Sequence, residues 1–527
     1  MQHRSVFCDA ASIKKAGIEN YLNNYFWPVN QSDFENILKY MYSSYNSIAL
    51  KIKNEELFNL AIIESTLLFN RLETLLHFNY VREFSEENKI KLYTSDVSGV
   101  KEFLYPDFKE ISLYYKNIYP STSKITLMLR RLVRNLVFNR HLGPLKTIKS
   151  FFCKSQVVGF GHFDDLKINY LKHRKLYCDN RDWVDFVKFD QIDEDAIGKK
   201  TEEFMSILIY PFLDKLKDSN TLFTKNLDFS KLKNSWKKRC FDLIKIYDSF
   251  KFETLPEEIL VTNSAKPISK LIITKFQSMG VKTYGFHHGN MLGNKCHRTA
   301  QFIGKSCCKR FIMPSRGIAE AYKNNYSEEP LEKIIKPTYV SADTSFYLNL
   351  FNDKKNKYQN VKKNSAMLIG TPANIFRYTD ELGQFFYFKF ALEFKIISLL
   401  KKHGMHVVYK AHPDRQKEIR GLFENYVDEY VVTPFEKIWH KYDNYIFTDT
   451  ASSTFGFSIA TQKKIILLEN NKESKNKKVD ELVSSRIFKV KADFNSDLKF
   501  SFNEKDLIDS IKAKNYKDFS IVKEHLS

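Results

Sequence analysis

Six consecutive residues, Lys410-Ala411-His412-Pro413-Asp414-Arg415, bring together a histidine, a proline, an acid and two cations. Pro413 suits the first turn of a helix, where its missing N–H costs nothing. A helix starting there would offer free backbone N–H groups and a partial positive charge, the setting that holds an anion. His412 beside it could donate a hydrogen bond to a phosphate or carboxylate, or protonate a leaving phosphate. Lys410 and Arg415 would add cationic contacts, as would Arg377 in the stretch GTPANIFRYTDELG (370–383). The plainer reading of an isolated histidine is packing at a domain edge. A position just ahead of proline, at the end of an apolar run, favours the functional one.

A second stretch, Asp449-Thr-Ala-Ser-Ser-Thr-Phe-Gly456, is rich in hydroxyls. Capping a helix needs one hydroxyl, which leaves the others of Thr450, Ser452, Ser453 and Thr454 to cradle a phosphate or sugar carboxylate. Glu469, at the end of the next apolar run, could accept hydrogen bonds from a ribose or simply be solvated. Further upstream stands His287-His288-Gly289-Asn290. A glycine there allows close backbone approach, and a neutral histidine could act as general base. Adjacent histidines cannot face the same way from an extended strand end. His288, next to Gly289, is expected to be the active one and His287 to be structural or to line the edge, together with Asn263 and Ser264. In VVGFGHFDDL (157–166), Asp164 or Asp165 could deprotonate a hydroxyl; helix capping explains them equally well.

These residues must be held by strands and helices, and the sequence alternates the two. From about 345 onward, apolar runs at Ser365–Gly370, MHVVYK, EYVVT, NYIFTD and KKIILLE alternate with helical stretches. One of these runs through Phe386, Phe390, Phe394 and Ile397 and stops at His403-Gly404. EEILVTN, a helix closed by Gly280, and VKTYGF form a second unit of the same kind. Strands apolar on both faces that alternate with helices predict parallel, doubly wound sheets. The expected α/β organisation is a mostly helical region over 1–150, a Rossmann-like domain over 151–345, a second over 346–480, and a tail with a helix over 481–527. In open α/β sheets, ligands sit at the C-terminal ends of the strands. Each loop above follows such an end.

Composition sets the outer limits. The 527 residues suffice for two or three domains, and the formal charge is +21. Such a field attracts polyanions, anionic lipid or phosphorylated substrates. No apolar stretch approaches the roughly 20 residues of a membrane span. The N-terminal residues lack a signal-peptide core, so export is not expected. Seven cysteines without a CxxC pair suit a reducing cytoplasm. Cys296, His297, Cys307 and Cys308 are crowded, but their spacing matches no standard zinc module. Residues 124–152 carry an apolar stripe through Ile125, Met128, Leu132, Leu136 and Val137, interleaved with Arg130, Arg131, Arg134 and Arg140. That stripe could lie on anionic lipid; a core-packing helix with a basic outer face is the plainer reading.

The HP pair of His412-Pro413, followed in the same unit by DTASST (449–454), resembles the GT-B glycosyltransferases and phosphotransferases that use cytidine nucleotides. These include polysialyltransferase-like enzymes, capsule Kdo transferases and CDP-glycerol glycerophosphotransferases. The last group is also similar in its His-Gly pair, matched by His288-Gly289. The resemblance implies two Rossmann-like domains facing a cleft. It places donor phosphates at His412, Ser452 and Ser453, with the other residues of those loops around them. His288, or Asp164 or Asp165, would be the base, and Asn263, Ser264, His287, Gly289 and Asn290 would meet the acceptor. It further implies metal-independent transfer from a nucleotide-activated sugar to a glycan or lipid-linked glycan, inside the cell or at the inner face of its membrane. The tryptophan that often precedes the His-Gly pair in the teichoic acid group is absent, the sequence reading Phe286-His287-His288; a CMP-sugar and a CDP-polyol both remain open as donor. A nucleic-acid-binding protein is the rival from another class; its support is the charge, and no finger, RNP-type strand or helix-turn-helix motif accompanies it.

Overall fold

Parallel strands buried on both faces are predominantly apolar, and the runs named above supply most of them. The computed structural model describes residues 4–96, 99–115, 124–151, 156–161, 165–186, 193–252, 255–262, 264, 266–287, 292–293, 307–325, 337–342, 346–353, 361–370, 386–413, 416–450, 452–469, 475–494, 500–514 and 518–527. Within them β1 (Ser5–Phe7) pairs in parallel with β2 (Lys91–Tyr93). A six-stranded sheet contains β3 (Val157–Phe160), β4 (Asp179–Arg181), β5 (Glu258–Thr262), β6 (Lys282–Phe286), β7 (Arg310–Met313) and β8 (Thr338–Ser341). Its order is β4-β3-β5-β6-β7-β8, parallel throughout.

A seven-stranded sheet contains β9 (Lys362–Ile369), β10 (His406–Lys410), β11 (Glu429–Val431), β12 (Tyr442–Phe447), β13 (Lys464–Glu469), β14 (Phe488–Phe494) and β15 (Phe500–Phe502). Its order is β11-β10-β9-β12-β13-β14-β15, parallel except for the last pair. The expected mixed α/β class with parallel sheets is thus present. Position 480, where the second domain was expected to end, lies inside the helix Lys477–Arg486. The sheet continues past it through Phe502. β14 was hidden because it alternates: Val490 and Ala492 are buried while Lys491 is exposed. A half-buried strand of this kind lacks the continuous apolar run of its neighbours.

Each sheet reverses its direction of travel once. From β3 the chain goes outward to β4, then returns to the other side of β3 and proceeds from β5 to β8. From β9 it goes to β10 and β11, then returns to the other side of β9 as β12. The crevices at these reversals lie between the C-terminal ends of β3 and β5, and of β9 and β12. Open α/β sheets bind ligands at such places.

The helical region shares its core with a later segment. The helix Glu55–Glu87 is buried along most of its length and packs against helices lying between β4 and β5. Glu64 makes a fully buried ion pair with Arg239 at 2.7 Å and accepts from Trp236 Nε1 at 2.7 Å. Asn79 Nδ2 donates to the carbonyls of Leu222, Phe223 and Lys225. Residues 193–248 therefore complete the N-terminal helical core while belonging, in sequence, to the six-stranded unit.

Candidate functional site

The crevice of the seven-stranded sheet is level across three strands. Lys410 on β10 pairs with Ile369 on β9, and Leu368 on β9 pairs with Ile446 on β12. His412, Gly370 and the loop after Phe447 accordingly leave the sheet at one height. Gly370 N–H donates to the Lys410 carbonyl at 2.9 Å, and its Cα packs on the Tyr409 ring, where a side chain would collide.

His412 is half-buried and Pro413 exposed at this edge. Lys410 is buried, its ammonium donating to the Ala411 carbonyl at 2.7 Å, and burial holds its pKa below the usual lysine value. That bond braces the loop. Within the described residues, the helix expected after Pro413 covers Gln416–Ile419. Gly421, with φ of +83°, ends the run, and its N–H is taken by Glu424 at 2.7 Å. A single turn sums few peptide dipoles, so the described turn adds little field of its own to the anion site expected here. Arg377 and Arg415 lie outside the described residues.

The hydroxyl loop divides its labour. Ser452 caps the helix Ser453–Ile459, accepting from Phe455 N–H at 3.1 Å. Ser453 is exposed and Thr454 half-buried. Thr448 and Thr450 each carry a buried hydroxyl oxygen with no hydrogen-bond partner among the described residues. Such groups cost free energy unless something pairs with them. Arg486 anchors the far end of the same helix: its buried guanidinium donates to the carbonyls of Ile459 at 3.1 Å and Lys463 at 3.0 Å, and to that of Thr461. Burial pushes its pKa down to about 9. Glu469 is ion-paired through both oxygens, to Lys475 at 2.7 Å and Lys489 at 3.1 Å.

In the six-stranded sheet, Gly161 ends β3 with φ of +92°, pressed against Thr262 at the end of β5. Ser264 is buried just beyond. Asp165 begins the helix Asp165–Arg174. His287 is buried, with Nε2 3.0 Å from Tyr322 Oη, which fits the structural member of the histidine pair. His288, Gly289, Asn290, Asn263 and Asp164 lie outside the described residues, as does the side chain of Asp165. Lys270, not anticipated, is fully buried in the helix Pro267–Ser278 after β5, and burial lowers its pKa to about 8. Cys307 and Cys308 are buried free thiols. Cys296 and His297 lie outside the described residues.

One pocket joins elements from both sheets. Its lining includes Gly317 and Glu320 on the helix that follows β7, Lys475, Lys477 and Lys478 in the segment that follows β13, and His525. His525 sits between the units: Ser315 Oγ donates to its carbonyl at 2.6 Å, and its Nε2 is 2.7 Å from the Leu292 carbonyl. Residues behind the C-terminal ends of strands from both sheets thus meet around one concavity, with three lysines on one wall and Glu320 and Glu524 nearby. Sequence reasoning passed over these lysines because NKESKNKK (471–478) reads as a solvated charge run. The signal available was its position directly after a buried strand. No protein-family model, curated protein or solved structure matches the chain.

Proposed function

We propose that the chain is a metal-independent glycosyltransferase of surface-polysaccharide synthesis, with a GT-B arrangement that binds a nucleotide-activated sugar on the seven-stranded unit and the acceptor on the six-stranded unit. The observation that carries this reading is that the loop of His412 and the loop after Phe447 leave the seven-stranded sheet at one height beside its reversal point; the pocket shared by the two units is lined by neither loop. The reversal points of the two sheets support it, because the loops read from sequence leave the sheets there.

In this reading the acceptor hydroxyl attacks the sugar's anomeric carbon while the bond from that carbon to the phosphate oxygen breaks. The hydroxyl proton passes to His288, Asp164 or Asp165. The nucleotide leaves with the bonding pair, and its growing charge is met by His412 and the hydroxyls of Thr450, Ser452 and Ser453. The HP and DTASST resemblance favours a cytidine nucleotide. Transfer of a polyol phosphate from a CDP-polyol would use the same loops, with phosphorus as the electrophile.

Thermal-shift measurements with CMP, CDP, UDP and a DNA oligomer test the assignment. Stabilisation by cytidine nucleotides alone supports it, and a shift with DNA alone ends it. Analysis of the nucleotide released from a CMP-sugar or from CDP-glycerol then separates the two transfer chemistries.

A further inference from the structure

The helix Lys124–Phe138 is mounted with its polar side inward. It covers β4, the edge of the six-stranded sheet, whose outer backbone groups would otherwise lack partners. Asn135 Oδ1 accepts from Asn180 N–H at 2.7 Å; Asn139 accepts from Cys178 N–H at 2.8 Å and donates to its carbonyl at 2.9 Å. These two asparagines, one helical turn apart, stand in for a neighbouring strand. Arg131 completes the attachment with two bonds to Asp179, at 2.5 and 3.1 Å, and Arg134 reaches Asp182 at 3.3 Å.

The apolar side is consequently turned outward. Ile125 is 70% exposed, Met128 64%, Val133 58% and Val137 54%, and Leu145 on the following helix, Pro144–Phe151, is 84% exposed. An apolar patch of this extent marks a binding surface. Its charge identifies the occupant. Residues 124–151 contain seven Lys and Arg and not one Asp or Glu. Arg130, Arg140 and Lys146 are exposed beside the patch, with no ion pair among the described residues. A second copy would bring two wholly basic faces together, which repel. A bilayer carrying acidic lipid takes apolar side chains below its headgroups and cations among them. No helix of the described residues is long and apolar enough to cross a membrane, so the contact is made in the interfacial plane.

We infer that the helices Lys124–Phe138 and Pro144–Phe151 dock the protein on an anionic membrane surface. The inference does not depend on the nucleotide site: a chain without nucleotide affinity would give the same vesicle result. The test is flotation of the full chain with phosphatidylcholine vesicles, with and without phosphatidylglycerol. Binding is expected only with phosphatidylglycerol. It should weaken by about tenfold or more in Val133→Asp/Leu145→Asp and in Arg130→Glu/Arg140→Glu, with unchanged melting temperatures. Should the aspartate variant fail to fold, Leu145→Trp replaces it, its fluorescence expected to shift to the blue on vesicles. Wild-type protein that stays in solution with acidic vesicles overturns the inference. So does equal binding by the folded charge variant, or a patch that instead supports a dimer split by Val133→Asp.

Discussion

Gly161 meets Thr262 so closely that a Cβ at position 161 would lie 2.5 Å from the carbonyl oxygen of Thr262. The contact closes the reversal point between β3 and β5, and the glycine's φ of +92° is one that other residues adopt at a cost. Gly161→Ala is therefore expected to lower stability by about 2 kcal/mol or more in urea unfolding. Gly198, in the helix Glu194–Phe204 with nothing near its absent side chain, serves as control. Gly198→Ala should be stabilising by up to about 1 kcal/mol. Equal behaviour of the two would mean that the β3/β5 contact is not tight.

Thr450 separates binding from folding. Valine matches its shape without the unpartnered buried hydroxyl. Thr450→Val should leave stability unchanged or raise it by about 1 kcal/mol, while weakening nucleotide binding in titration calorimetry. Lost stability with intact binding would assign the hydroxyl a purely structural role.

His412→Ala and His288→Ala are each expected to reduce turnover on the order of 10²-fold or more, with folding intact by circular dichroism. Turnover like that of the wild type in either variant removes that residue from the mechanism. Ser452→Ala should in addition lose about 1 kcal/mol of stability, because Ser452 caps its helix.

His77 makes the helical core sensitive to acid. It is buried, accepts from Trp27 Nε1 at 3.0 Å, and burial lowers its pKa from 6.5 to about 3. The unfolded chain binds a proton below about pH 6.5 that the folded chain refuses. The stability present above that pH is lost as pH falls towards 3, at up to about 1.4 kcal/mol per unit. His77→Gln keeps an acceptor without titrating and should flatten the stability profile between pH 6.5 and 4.5. An unchanged slope would locate the titration elsewhere.

Arg239 and Glu64 form an ion pair with both side chains wholly buried. Arg239→Met leaves the carboxylate alone and should destabilise by about 3–5 kcal/mol. Adding Glu64→Leu should restore much of that loss. A double variant no better than the single one would show that Arg239 acts through packing on Tyr114, Tyr115 and Trp236.

The parallel sheets were legible because β5, β9, β10, β12 and β13 are written as continuous apolar runs between helical patterns. β4, with the sequence Asp-Asn-Arg, has no such signature, since it is three residues long and defined by its neighbours. The positions at which the loops leave the strands were readable, and so was the burial of His287 beside the end of β6; His288 lies outside the described residues. The short helix after Pro413 was not: Gly421 cuts it, and capping chemistry alone does not measure length. For Lys124–Phe138 the periodicity revealed a stripe but could not tell which side faces the protein. That was decided by the unpaired backbone of β4, over forty positions away in sequence.

The helices between β4 and β5 also separate, in sequence, the two neighbours of one strand. β3 pairs with β4 on one side and with β5 on the other, and residues 182–257 intervene between those partners. That excursion docks on the helix Glu55–Glu87. The pairing of β3 with β5 is therefore long-range in sequence, the kind of contact that slows folding. In the folded chain the outer edge of β4 is shielded by Asn135 and Asn139. The helix that turns its oily side outward thereby also closes one sheet edge to pairing with another chain.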